Sequence, residues 1–169
     1  LLAFATSLFA ITFVGFFDDL LIRKDHEMSF GLKQWQKPLL TVIAAVPLVV
    51  LNAGDTIVSV PFIWSIDVGI LYPLLLIPIG FVGASNMVNL LAGYNGLEAG
   101  LGLIYLTNLS MFAFVNGAEE AALIGAITSA ALLAFLIFNS VPAKIFPGDS
   151  LTYLLGGVIA SMAIIGNIE

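Results

Sequence analysis

Ala121 through Phe138 reads AALIGAITSAALLAFLIF, eighteen residues with no charge and no proline. A run of that kind is a candidate membrane crossing, because the hydrocarbon core takes about 20 residues of helix, range 17–25. Working outward, comparable apolar runs lie at about Leu1–Phe17, Leu39–Leu51, Gly69–Ala84, Leu101–Val115 and Leu151–Ile165. Several must borrow a flanking turn to cross. Leu39–Leu51 is the weakest, with Pro38 suited to the first turn of a helix and Pro47 tolerated inside a membrane helix at the cost of a kink. The expected fold is all-α: a polytopic transmembrane bundle of about six helices, residues 1–169 making a single membrane domain.

Composition points the same way. The chain is 60% hydrophobic and 9% charged with mean hydropathy +1.11, where soluble chains carry roughly 25% charged residues. So few charges cannot cover a surface facing water, so the solvent is mostly the lipid bilayer. Nucleic acid is excluded as a partner, since no basic stripe exists to neutralise phosphates. The absence of cysteine rules out disulfides, thiolate catalysis and Cys-based metal sites, and a single histidine argues against zinc or a Ser-His-Asp triad. The chain opens on Leu1-Leu2-Ala3-Phe4 and stops at Glu169 after an apolar run, so it is expected to be a piece of a longer polytopic protein.

Six crossings put alternate connections on opposite sides. One side receives Asp18–Lys37, Ser85–Gly100 and Asn139–Ser150; the other receives Asn52–Val68 and Asn116–Glu120. All five basic residues, Arg23, Lys24, Lys33, Lys37 and Lys144, fall in the first set, which predicts that this side is cytoplasmic. On the other side, the alternating, β-branched stretch Thr56–Val60 before Pro61 predicts a short external β-hairpin near 55–68. Trp35 and Trp64 are expected as anchors at opposite interfaces. His26 reads as a surface residue.

The spans themselves hold almost nothing ionisable; Thr, Ser and Asn108 in them read as helix-to-helix glue. Polar chemistry collects at the basic side instead, in four clusters. Asp18 and Asp19 close the first helix at its negative pole, where each anion is unfavourable by about 0.3–1 kcal/mol and calls for a cation. They are either a solvated end beside Arg23 and Lys24 or part of a site. Lys37-Pro38 puts a cation at a helix N-terminus, again the wrong pole unless an anion lies between; it is either an interface lysine or a phosphate contact. Asn86 through Gly100 (NMVNLLAGYNGLEAG) packs three Asn and three Gly into fifteen residues, with Asn86 and Asn89 on one helix face and a turn signal at Asn95-Gly96. That is helix-end chemistry, or amides for a metal's shell and a nucleobase edge. In Phe146-Pro147-Gly148-Asp149-Ser150, Asp149 is either an N-cap for the last helix or a metal ligand, with Phe146 free to stack on a base. Together these are hard oxygen ligands suited to Mg²⁺ (Mn²⁺ is the alternative) beside phosphate-binding groups, which suits phosphoryl transfer to a lipid.

The order and spacing of these motifs resemble the polyprenyl-phosphate N-acetylhexosamine-1-phosphate transferases. The likeness is greatest to their eukaryotic and archaeal branch, which uses UDP-GlcNAc and dolichyl phosphate. Phe13-Val14-Gly15-Phe16-Phe17-Asp18-Asp19, Lys37, Asn86–Gly100, and Phe138-Asn139-Ser140-Val141-Pro142 leading into Phe146-Pro147-Gly148-Asp149 carry the resemblance. It implies a ten-helix enzyme, of which this chain is roughly the third to eighth helices, and the isolated piece is expected to be inactive. The implied reaction moves GlcNAc-1-phosphate from UDP-GlcNAc to dolichyl or another polyprenyl phosphate at the cytoplasmic face and releases UMP. It is the first step of lipid-linked oligosaccharide synthesis for N-glycosylation. By resemblance, Asn89 and Asp149 hold Mg²⁺, Lys37 contacts the pyrophosphate, and Gly93, Asn95 and Phe146 hold uridine. Asp18 and Asp19 match the family's acidic pair, and Asn86 and Glu98 match polar positions around the nucleotide. Bacterial relatives making peptidoglycan precursors have aspartates where this chain has Ala92 and Asn95, which disfavours that substrate. The implied membrane is the archaeal plasma membrane or the endoplasmic reticulum, and a homodimer is compatible with the sequence. From another class, a transporter or channel subunit also fits six apolar helices, but would gather polar groups at mid-membrane.

Overall fold

The computed structural model describes residues 2–21, 31–59 and 64–168. Among these residues six helices follow in order: α1 (Leu2–Leu21), α2 (Gln36–Val50), α3 (Ile77–Leu90), α4 (Leu97–Val115), α5 (Glu119–Asn139) and α6 (Gly148–Gly166). The quoted apolar run becomes α5, whose 21 residues at about 1.5 Å each match the ~30 Å hydrocarbon core. A π-helical turn, Tyr72–Leu76, leads into α3. Pro73 and Pro78 lack the N–H groups that a regular helix would use there. Counting that turn with α3, five helices among the described residues are long and apolar enough to cross a membrane, and α2 is shorter at 15 residues.

All six nevertheless traverse the same layer. Lys37 at the start of α2 meets Asp18 and Asp149, while Gly54 just beyond its end approaches Ile164 and Tyr72. At that far end β1 (Ile57–Ser59) pairs antiparallel with β2 (Ser65–Asp67), Val58 opposite Ile66. These are the arms of the expected hairpin; its tip, including Pro61, lies outside the described residues, as do Arg23, Lys24 and His26. Lys33, Lys37 and Lys144 lie at one end of the bundle and Asp55, Asp67, Glu119 and Glu120 at the other. Trp35 and Trp64 are exposed at opposite ends.

α6 is the central helix. Some 56% of its most apolar stretch is buried, against 22–33% for the other four long spans. α1 and α3 pack on it with α2 behind them, around Ile11, Leu48, Phe81 and Tyr153; α4 and α5 pair on its other side around Leu106, Leu132, Leu155 and Met162. Small residues make this possible, because backbones meet without side chains between them. A methyl group on Gly15 would overlap the Asp149 carbonyl, and one on Gly156 would overlap the backbone of Ala84 and Ser85. The outer faces expose Phe9, Phe112, Ile127 and Leu133, which would be a liability in water and are ordinary against lipid. This is an integral, multi-pass membrane protein.

Several polar groups within the spans are satisfied inside their own helix, whereas the Ser7, Ser85, Tyr153 and Ser161 hydroxyls are buried without a hydrogen-bond partner. Thr6, Thr12, Thr128 and Asn108 each donate to the carbonyl four residues back. Helix-to-helix glue is real between α4 and α5, where Thr107 bonds Ser129 and Ser110 donates to the Ala122 carbonyl. Asn108 was expected to join helices and instead bonds its own.

Candidate active site

At the basic end the helices run past their apolar stretches. α1 continues through Asp18 and Asp19, α3 through Asn86 and Asn89, and α6 begins at Gly148. The chemistry-bearing residues therefore sit in terminal helical turns, packed against one another.

The mismatch at the end of α1 is resolved by two partners. Asp18, 1% exposed, pairs with the Lys37 ammonium and accepts the Leu32 N–H at 2.6 Å. Lys37 Nζ also reaches Asp149 Oδ2 at 3.4 Å, so one ammonium lies between two carboxylates and the trio carries one net negative charge. That answers the wrong-pole problem of Lys37 too: the anions come from α1 and α6.

Asp19 turns to the N-terminus of α6, a positive pole. Its Oδ1 accepts the Asp149 N–H at 2.9 Å, and its Oδ2 accepts the Ser150 N–H at 3.1 Å and the Ser150 hydroxyl at 2.8 Å. The first turn of α6 has no cap from its own flank, and Asp149 lies inside the helix instead of capping it. Asp19 supplies the cap from another helix, and a Cβ on Gly148, at φ +62°, would stand 2.8 Å from its Oδ2. Asp19→Ala is expected to destabilise the protein by about 2 kcal/mol, and Asp19→Asn, which keeps one acceptor oxygen, by less. Thermal unfolding in detergent measures both.

Asn89 and Asn86 share a face of α3 and join it to different neighbours. The Thr152 hydroxyl donates to the Asp149 carbonyl at 3.1 Å, so it can only accept from Asn89 Nδ2 at 3.0 Å. The amide is thereby oriented, with Thr152 linking it to the Asp149 backbone. Asn86 Nδ2 donates to Thr41 on α2 and to the Val82 carbonyl. Asp18, Lys37 and Asp149 thus form one ion-paired cluster to which Thr152 joins Asn89, with Asp19 behind Asp149 and Asn86 one turn away.

A second group surrounds the loop between α3 and α4. Glu98, 4% exposed, accepts the Gly93 N–H through Oε1, and its Oε2 is buried without a hydrogen-bond partner. Gly93 and Gly96 take positive φ, which glycine adopts at no steric cost. Tyr94, Asn95 and Phe146 are exposed around them. Asn139, fully buried at the end of α5, bridges this loop to the one carrying Phe146.

Sequence reasoning passed over Thr41, Thr152, Ser150 and the role of Asn139. Thr41 stands four residues after Lys37 and Thr152 three after Asp149, so helical spacing could have found both. Among the described residues no group of three or more Asp, Glu, His or Cys could by itself enclose a metal ion. Asp149 with the Asn89 amide is a partial set of hard oxygen donors. That fits Mg²⁺, which keeps waters and takes one or two carboxylates together with substrate phosphates.

A family model described as glycosyl transferase family 4 matches residues 1–167. A protein of Saccharolobus solfataricus is 38% identical over 158 residues, 92% of this chain and 46% of its own length. It carries the provisional name UDP-N-acetylglucosamine–dolichyl-phosphate N-acetylglucosaminephosphotransferase. A protein of that name in Sulfolobus acidocaldarius is 36% identical, again over 92% of this chain and 45% of its own length. A phospho-N-acetylmuramoyl-pentapeptide-transferase of Halalkalibacterium halodurans is 40% identical over 92% of this chain and 49% of its own. The chain spans about half the length of these relatives. Six alternating helices, the motif order and a match over nearly every residue lead to one conclusion: the chain belongs to glycosyl transferase family 4.

Proposed function

We propose that the protein transfers a HexNAc-1-phosphate group from a UDP-sugar to a polyprenyl phosphate, releasing UMP. The pair of substrates we assign is UDP-GlcNAc and dolichyl phosphate, as in the first step of lipid-linked oligosaccharide synthesis for N-glycosylation. The observation that carries this reading is the Lys37 ammonium held between Asp18 and Asp149 beside Asn89, at one end of a membrane bundle. The names of the archaeal relatives support the substrates. Lys33, Lys37 and Lys144 at the site's end support a cytoplasmic site.

A phosphate monoester with second pKa near 6 is largely dianionic at neutral pH, so the acceptor needs little help to become a nucleophile. Its oxygen attacks the phosphorus bearing GlcNAc, that phosphorus parts from the bridging oxygen, and UMP leaves with it. Lys37 neutralises charge growing on the leaving phosphate. Asp18 holds Lys37 in place and orients the acceptor, and Asp19 fixes the first turn of α6 and so the direction of Asp149. Mg²⁺, held by Asn89 and Asp149, would supply further charge neutralisation on the pyrophosphate. Gly93 and Asn95 offer backbone and amide contacts to uridine, Phe146 a stacking face, and Asn86 and Glu98 keep the surrounding elements in position.

A second reading, muramoyl-pentapeptide transfer, is favoured by the 40% identity to the Halalkalibacterium protein. Ala92 and Asn95, in place of the aspartates of that branch, weigh against it. The test uses membranes carrying the protein at its full natural length, with UMP release as the readout. Release with UDP-GlcNAc and dolichyl phosphate, lost on omitting lipid or adding a chelator, is expected. Release only with UDP-MurNAc-pentapeptide and undecaprenyl phosphate establishes the second reading, and silence with every sugar nucleotide overturns both.

A further inference from the structure

We propose that Asn139 is a positioning residue that sets the nucleoside subsite by tying its two loops together. This rests on reading Gly93, Asn95 and Phe146 as the nucleoside contacts. Asn139 is the last residue of α5 and is completely buried. Its Oδ1 accepts the Gly96 N–H at 3.0 Å, and its Nδ2 donates to the Ile145 carbonyl at 2.8 Å. Gly96 follows Asn95 directly, and Ile145 directly precedes Phe146. One side chain therefore holds the backbone beside both candidate contacts.

Packing does little to hold these loops. Tyr94 is 74% exposed and Phe146 60% exposed, so few apolar neighbours fix them. Hydrogen bonds do the holding instead. The first loop is fastened at Gly93 by Glu98 and at Gly96 by Asn139, leaving Tyr94 and Asn95 to project between. The second folds back on α5, where the Lys144 and Ile145 N–H groups reach the Phe138 carbonyl. Only Asn139 connects one loop with the other among the hydrogen bonds of the described residues. Both halves of its amide are needed. A carboxylate could accept from Gly96 but would face the Ile145 carbonyl oxygen, and an aliphatic side chain could do neither.

Without the bridge, the two loops must be ordered when nucleotide binds, a cost that falls on nucleotide affinity. Asn139→Leu is expected to raise the KM for UDP-GlcNAc and the Kd for UMP by about tenfold, with kcat at saturation and the KM for dolichyl phosphate unchanged. The full-length protein in membranes gives the kinetics, and calorimetry in detergent gives UMP affinity without turnover. Phe146→Ala serves as the control for the subsite itself. A lower kcat with native KM and native UMP affinity overturns the proposal and leaves Asn139 a residue of the fold alone. If Phe146→Ala also binds UMP like the native protein, the nucleoside reading has failed, not the bridge. Should Asn139→Leu not accumulate, Asn139→Asp carries the test, because it keeps the Gly96 bond and breaks the other. Native UMP affinity in that variant overturns the proposal.

Discussion

Lys37→Met is expected to reduce UMP release by about a thousandfold and to lower stability, and a second substitution separates the two losses. Asp18 is 1% exposed, and its cation is Lys37. Removing that cation leaves a buried carboxylate uncompensated, a change that typically costs 3–5 kcal/mol. Removing the carboxylate as well, in Asp18→Asn with Lys37→Met, is expected to restore most of the unfolding temperature. Methionine in that pair still offers nothing to the pyrophosphate, so turnover stays lost. Lys37→Arg is no conservative control, because a planar guanidinium cannot take the place of a compact ammonium between two carboxylates. Thermal unfolding in detergent and UMP release in membranes read the two effects. Recovery of turnover in the double variant would mean that Lys37 serves only the burial of Asp18.

Two acids at the C-terminus of α1 and a lysine at the N-terminus of α2 each stood at an unfavourable pole, so each required a partner. The residue types alone could say that. They could not say that Asp19 would take the N-terminus of α6, because that pairing spans 130 positions and depends on how α1 and α6 pack. Gly15 is what brings those backbones together, and a glycine inside an apolar run announces no particular neighbour.

The helix bodies were legible for a simple reason. In lipid, unbroken apolar runs have no alternative to helix, and the run Ala121–Phe138 became α5 within two residues at either end. The ends of α1, α3 and α6 were less legible. Hydropathy treats Asp18, Asn86, Asn89 and Asp149 as water-seeking and stops the helix there. Inside the bundle Asp18 and Asp149 share Lys37 while Asn86 and Asn89 bond Thr41 and Thr152, and the helices continue. The same limit hid Asn139: its bonds depend on the fold-back of residues 144–145, which no residue type specifies.

Asp149→Asn is expected to reverse the pattern of Lys37→Met, losing turnover without losing stability. In the native site two carboxylates share one ammonium, and the excess negative charge is held partly out of water, with Asp149 24% and Lys37 23% exposed. Neutralising Asp149 leaves Lys37 and Asp18 as a matched pair and relieves repulsion between the two acids. The variant's unfolding temperature should therefore equal or exceed that of the native protein. Turnover should fall by about a thousandfold, because an amide is a poor hard-cation ligand in place of a carboxylate and the leaving phosphate loses much of its neutralisation. The excess charge is then a cost to the fold that serves the reaction, as in other sites where stability and activity oppose each other. A lower unfolding temperature would make Asp149 a brace between α2 and α6 instead. Undiminished, metal-dependent turnover would move the cation to other ligands.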